Sequence, residues 1–167
     1  MQVFVIEFEQ DDPKKCTAKK MIRLGLAERV RKPFGIILNP ISERVLSFDD
    51  KDIIRNIGIT VIDSSWNKSD MKLFSRYNNK LARRLPILFA GNPINYAKPY
   101  KLSSLEAVAA SLFIICEKDL GLKFLSIIKW GHTFYELNKE LFEMYCGKSE
   151  KEILKLEEQI IEYLRGP

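Results

Sequence analysis

Short apolar runs alternate with amphipathic stretches through the first half of the chain. Residues 2–8 form a β-rich run that gives way to a polar loop over residues 9–15. Residues 19–30 carry Met21, Ile22, Leu24 and Leu26 and predict a helix that Pro33 stops. Residues 34–38 predict a short strand ending in Asn39-Pro40, followed by a strand at 44–48 and a short helix at 50–56. A strand at 60–62 runs into Asp63-Ser64-Ser65-Trp66, a strong helix is expected over 69–85, and a strand over 86–89 ends in Ala90-Gly91-Asn92-Pro93. Continuously apolar strands separated by helices imply a parallel sheet covered on both faces. Beyond this point only helical patterns remain, at 103–120, 124–130, 133–145 and 150–165. The expected architecture is an α/β lobe over residues 1–92 and an all-α lobe over residues 93–167.

Composition adds mostly exclusions. Of 167 residues, 46% are apolar and 29% charged, the profile of a globular chain. Lys and Arg number 27 against 22 Asp and Glu, a mild surplus of +5 that suits a polyanionic partner. No apolar run reaches the ~18 residues of a membrane span, and the first residues, Met1 to Glu7, lack the pattern of a signal peptide. Cys16, Cys116 and Cys146 lie far apart, with no zinc spacing and no disulfide framework, so a reducing cytoplasm is expected. A single histidine, His132, disfavours a His-rich metal site, and no metal is expected.

In an open parallel sheet ligands bind beyond the carboxyl ends of the strands. Four loops qualify, residues 10–17, 39–42, 63–67 and 90–96, all with ordinary turn chemistry. Trp66 and Tyr96 stand out as large aromatics in turns. Gly-rich dinucleotide and Walker loops are missing. Ser103-Ser104-Leu105-Glu106 is a capping box opening a long apolar helix. It serves helix stability, or it presents backbone N–H groups to a carboxylate. Lys72, Arg76, Lys80 and Arg83 fall on one stripe of the expected 69–85 helix. Such a stripe is either a solvated face or, because like charges repel, a surface for an anionic partner such as RNA. Lys14, Lys15 and Lys19 add a second basic patch near the first loop.

Several motifs occur together and in order: Asp-Pro-Lys-Lys-Cys-Thr (12–17), Leu-Asn-Pro (38–40), Val-Ile-Asp-Ser-Ser-Trp (61–66), Arg-Arg-Leu-Pro-Ile-Leu-Phe-Ala-Gly-Asn-Pro-Ile-Asn-Tyr (83–96), Lys-Leu-Ser-Ser-Leu-Glu-Ala (101–107) and Trp-Gly-His-Thr-Phe-Tyr-Glu-Leu-Asn (130–138). The set resembles the small-subunit rRNA aminocarboxypropyltransferase family of ribosome biogenesis, in a short archaeal-type form. Ala18 and Ala97 stand where family glycines are expected, and Ser64 where cysteine is common.

The resemblance implies a SPOUT-like knotted fold that binds S-adenosyl-L-methionine (SAM) at strand ends. It implies transfer of the 3-amino-3-carboxypropyl arm to nitrogen 3 of a pseudouridine or 1-methylpseudouridine in small-subunit rRNA, with methylthioadenosine released. It also implies that Leu38, Pro40, Leu85, Leu102 and Ala107 wall the adenine, that the Ile62 backbone holds the ribose and that Tyr100 lies along the cofactor. Thr17 and Ser103 or Ser104 would meet the methionine carboxylate, and Trp66 would cover the methyl group. Asp63, the carboxylate of the matched strand end, is the candidate general base. A nearby sulfonium lowers a carboxylate pKa while burial raises it, so a role in orienting SAM stays open. A methyltransferase of the same fold and a non-catalytic pre-rRNA-binding assembly factor are the alternatives. A monomer is expected.

Overall fold

The apolar runs of the first half pair in parallel. Strands β1 (Val3–Glu7), β2 (Glu28–Arg29), β3 (Ile36–Leu38), β4 (Ile59–Asp63) and β5 (Ala82–Arg83) form one sheet in the order β2-β1-β4-β3-β5. β1 and β4 are in register from Val3↔Ile59 to Glu7↔Asp63. Every residue of β3 and β4 is buried, as a sheet covered on both faces requires. The computed structural model describes residues 1–7, 16–63 and 68–167. Its secondary structure is α/β, with a parallel sheet and seven α-helices.

Two units emerge: Met1–Arg44 with Lys51–Arg84, and Val45–Asp50 with Leu85–Pro167. The first holds the sheet with helices α1 (Thr17–Arg23), α2 (Lys51–Asn56) and α3 (Lys68–Arg76). Ile37 and Ile62 pack with Leu73 and Phe74 of α3. Side by side at the amino ends of the strands, Gly35 (φ +67°) and Gly58 (φ +136°) leave no room for a side chain. A Cβ on Gly35 would strike the Gly58 carbonyl, and one on Gly58 the Gln2 carbonyl.

Several elements differ from expectation, each for a local reason. The helix expected over 19–30 ends at Arg23 because Gly25 takes φ +76°. Gly25 N–H donates to the Ile22 carbonyl and Leu26 N–H to that of Met21, the Schellman pattern. Released from the helix, Glu28–Arg29 joins the sheet edge. The helix expected over 69–85 stops at Arg76. Asn79 Oδ1 accepts from Leu81 N–H at 2.8 Å, and the Asn79 carbonyl accepts from Ala82 N–H at 3.0 Å. This side chain offers the backbone an alternative to helix, and Ala82–Arg83 pairs with β3 instead.

The second unit is helical: α4 (Ser104–Ile114), α5 (Lys118–Leu125), α6 (Gly131–Tyr145) and α7 (Glu150–Arg165), with a 3₁₀ turn at Phe48–Asp50. The expected strands at 44–48 and 86–89 are not strands of the sheet. Residues 45–48 and 86–89 lie in this unit, where side chains take over the role of a ladder. Ile87 N–H donates to Glu157 Oε2 at 2.7 Å, the Ile87 carbonyl accepts from Tyr145 O–H at 2.9 Å, and Asn138 bonds both the N–H and the carbonyl of Phe89. Val45 N–H donates to the Glu150 carboxyl.

Residues 103–120 are not one helix either. Cys116 adopts φ +65° and ends α4, with Glu117 N–H on the Leu112 carbonyl and Cys116 N–H on that of Phe113. Likewise 124–130 belongs only at its start to α5. Cys116 and Cys146 are joined in a disulfide, 5.3 Å between Cα atoms, which overturns the expectation that the cysteines make no disulfide. Packing of α4 on α6, seen in the stacked rings of Phe113 and Phe142 at 4.3 Å, brings the two helix ends together. Closing a loop of 30 residues contributes about 3–4 kcal/mol in the chain-entropy account. The cysteine pattern therefore no longer argues for a reducing compartment. Among the described residues no helix is long and apolar enough to cross a membrane.

Candidate active site

Topology points to one place in the sheet. The chain leaves β1 towards β2 and leaves β4 towards β5, in opposite directions. With right-handed crossovers the intervening helices α1 and α3 cover opposite faces. A crevice then opens between the carboxyl ends of β1 and β4, where ligands bind in sheets of this kind. The loops that follow these two ends, residues 8–15 and 64–67, lie outside the described residues, and with them Lys14, Lys15 and Trp66.

Asp63 is the last residue of β4, paired in register with Glu7 of β1 and 3% exposed. Its Oδ2 accepts a hydrogen bond from the Cys16 thiol at 3.2 Å, across 47 residues of sequence. Burial pushes the Cys16 thiol up to about 11, and the Asp63 charge and hydrogen bond add to the rise. At neutral pH Cys16 is therefore a thiol that donates to Asp63, not a reactive thiolate. Among the described residues Cys16 is the one free cysteine. Sequence reasoning gave it no role, and nothing in its spacing marks it as a partner of Asp63. Thr17 follows as the first residue of α1 and is buried.

At the end of β3, Asn39 is buried and organises the turn. Its Nδ2 donates to the Phe74 carbonyl at 2.7 Å and its Oδ1 accepts from Ile41 N–H at 3.2 Å. Pro40 is left exposed beside the buried Leu38. The Ile62 side chain belongs to the core with Ile37, Leu73 and Phe74, so what Ile62 has left for a ligand is its backbone.

The basic stripe does not form. Lys72 and Arg76 are exposed on α3, and Lys80 is exposed in the turn after it. Arg83 lies in β5, is 4% exposed, and turns its guanidinium to the Lys80 carbonyl at 2.8 Å and the Ala82 carbonyl at 2.9 Å. It is removed from the candidate RNA-binding set, because the helix that would have displayed it ends at Arg76. Lys19 is half-buried on α1.

In the second unit the capping box is present, and Glu106 does more than cap. Ser103 Oγ accepts from Glu106 N–H. The Glu106 carboxyl, 0% exposed, accepts from Ser103 N–H at 2.8 Å, Gly91 N–H at 2.7 Å and Asn92 Nδ2 at 2.8 Å. Ser103 N–H is thus already committed, which leaves its O–H hydrogen and the neighbouring Ser104 for a ligand. Leu102, Ser103, Ser104 and Ala107 are half-buried together at this helix start, and Leu85 is half-buried at the start of the unit. Tyr100 holds φ +65° and donates its O–H to Glu157 at 2.9 Å.

Ala97, where the family glycine is expected, sits at φ +62°. An L-residue there carries about 1 kcal/mol of strain that glycine lacks. Ala97→Gly is expected to raise stability by about 1 kcal/mol, read as an increase in the urea midpoint.

The fold and site define a class first: an open, parallel α/β protein whose candidate centre is a buried acid at the strand carboxyl ends. Comparison with known proteins then gives the family. Residues 36–161 match the family described as ribosome biogenesis protein, C-terminal. The 16S rRNA aminocarboxypropyltransferase of Saccharolobus islandicus (strain M.16.27) is 56% identical over 162 residues, 97% of each chain. That of Sulfurisphaera tokodaii is 54% identical over 99% of each chain. The solved structure of the SAM-dependent rRNA:acp-transferase Tsr3 from Vulcanisaeta distributa is 34% identical, covers 99% of this chain and 98% of its own, and aligns with a TM-score of 0.83. The chain belongs to the 16S rRNA aminocarboxypropyltransferase family.

Residues 1–33 also match a possible Fer4-like domain in RNase L inhibitor. An iron–sulfur cluster needs several cysteine thiolates. This stretch has one cysteine, Cys16, and its thiol is held protonated on Asp63. The residues present do not fit a cluster.

Proposed function

We propose that this chain transfers the 3-amino-3-carboxypropyl group of SAM to nitrogen 3 of a pseudouridine or 1-methylpseudouridine in small-subunit rRNA, during ribosome biogenesis. Methylthioadenosine is the by-product. The observation that carries the reading is the near full-length match, at 54–56% identity, to proteins named 16S rRNA aminocarboxypropyltransferase. The reading includes a SPOUT-like knot and a monomeric, cytoplasmic enzyme.

The residues fit SAM chemically: apolar Leu38 and Pro40, the strand-end backbone of Ile62, the Thr17 hydroxyl and a buried acid lie in one unit. Apolar walls with a few placed polar groups are what a nucleoside requires. SAM, when bound, supplies an activated carbon next to a sulfonium. The chain's own tasks are orientation and proton removal. The family resemblance assigns the adenine wall to Leu38, Pro40, Leu85, Leu102 and Ala107. The Ile62 backbone holds the ribose, and Tyr100 lies along the cofactor. The family resemblance assigns the methionine carboxylate to Thr17 and to Ser103 or Ser104. Trp66 covers the methyl group and blocks its transfer, since alignment of one carbon decides which bond breaks. Asp63 accepts the imide proton of the target base. Lys72, Arg76 and Lys80, with Lys14, Lys15 and Lys19, contact the RNA backbone.

Incubating the protein with SAM and small-subunit rRNA and identifying the adenosine product by mass spectrometry tests this. RNA-dependent methylthioadenosine is the expected result. S-adenosylhomocysteine would mean methyl transfer, and the absence of both products would overturn the enzymatic reading on that RNA.

A further inference from the structure

A second surface of the first unit lies at the amino ends of the strands, away from Asp63. Met1, Gln2, Phe4, Phe34, Arg55, Asn56 and Ile57 line a groove of about 440 Å³, within the range of small-ligand sites. Its floor is aromatic: the Phe34 ring lies 5.0 Å from that of Phe4, tilted by 42°. Phe4 is buried, whereas Phe34 is 46% exposed.

Phe34 is held rigidly in that exposed position. Its N–H donates to Thr60 Oγ1 at 2.8 Å, and the same hydroxyl donates to the Phe34 carbonyl at 2.6 Å. Thr60 is fully buried in β4. A backbone held at both its N–H and its carbonyl, carrying a ring that packs on Phe4 yet stays half in solvent, lowers the ordering cost of binding.

The surroundings are cationic. Arg31 and Lys32, both exposed, stand three and two residues before Phe34, and Arg55 lines the groove itself. Aromatic platforms flanked by Arg and Lys are how proteins hold single-stranded nucleic acid: a base stacks on the ring and the cations follow the phosphates. Thr60, which holds Phe34 and pairs with Phe4, is three residues from Asp63 along β4, about 10 Å, so an RNA reaching both must extend past its target nucleotide.

We infer that this groove is a second RNA contact, in which a single-stranded segment of the rRNA substrate stacks a base on Phe34 while Arg31, Lys32 and Arg55 meet its backbone. The inference rests on the proposed action on rRNA. The full chain, transcribed small-subunit rRNA and a salt series test it. Phe34→Ala should weaken RNA binding roughly 5- to 100-fold, the range for loss of one base–aromatic stack. Phe34→Trp should keep it. Arg31→Ala with Lys32→Ala, which leaves the packing intact, should flatten the log–log salt dependence by about 1.4. SAM affinity and turnover at saturating RNA should not change, while KM for RNA should rise.

If the unmodified chain binds and modifies rRNA but Phe34→Ala and the Arg31→Ala, Lys32→Ala double variant bind as it does, the groove is not an RNA contact. If the unmodified chain does not bind rRNA at all, the functional reading fails and the groove assignment falls with it.

Discussion

Asp63→Asn is expected to lower turnover by about 10²–10⁴-fold, the range for removal of a general base, and to leave RNA affinity unchanged. The amide keeps the size of the side chain and an oxygen that can accept the Cys16 thiol hydrogen, now 3.2 Å from Oδ2. It cannot take up a proton. The substitution thus removes one chemical property from a buried position while keeping the size of the side chain. The measurement is single-turnover formation of methylthioadenosine alongside SAM titration. A fall in rate with SAM affinity held within a few-fold identifies Asp63 as the base. Loss of SAM affinity with the rate at saturating SAM preserved assigns it the orienting role instead.

Glu106→Ala should destabilise the protein by on the order of 3–5 kcal/mol, because three donors lose one acceptor group in a dry place. Those donors are the backbone N–H groups of Gly91 and Ser103 and the Asn92 amide. Glu106→Gln retains part of the acceptor capacity and should cost less. Urea unfolding of the three proteins side by side provides the check. A loss under about 1 kcal/mol for the alanine variant would mean that the loop is held by its own backbone bonds, such as Ala90 N–H to the Lys98 carbonyl and Tyr100 N–H to the Leu88 carbonyl. Since the same carboxyl orders Ser103, the variant should also bind SAM more weakly at a temperature where it remains folded.

The two substitutions differ in how visible their targets are in sequence. Asp63 is readable because an apolar strand, residues 59–63, ends on it and runs into a matched motif. Its thiol partner is not, since a contact across 47 residues leaves no local trace. Glu106 is readable only as the fourth member of a capping box, a pattern of period and polarity within one helical turn. Its hold on Gly91 and Asn92 depends on where another segment of the chain comes to lie.

The basic stripe shows the limit of periodicity. Lys72, Arg76, Lys80 and Arg83 recur at helical spacing, but spacing has meaning only while the helix lasts. Asn79 ends it by bonding its own backbone, and the two residues Ala82–Arg83 gain a ladder beside β3. Arg83 is therefore buried rather than displayed. Gly25 was a readable stop signal of the same kind, whereas Cys116 was not: a cysteine in the left-handed region has no sequence signature.

By itself the sequence determined the α/β class, the strands β1, β3 and β4, the long helices α6 and α7, the α4 start and the family. All rest on local rules, in which burial on both faces yields apolar runs and a cap needs particular side chains at fixed offsets. Only the tertiary structure decided the rest. It set the strand order that places Asp63 at the switch point, and the Cys16 contact that restrains it. It also paired Cys116 with Cys146, and it replaced an expected strand at 86–89 with backbone groups satisfied by Glu157, Asn138 and Tyr145. These depend on which distant groups meet, and buried polar groups find their partners wherever the packing puts them.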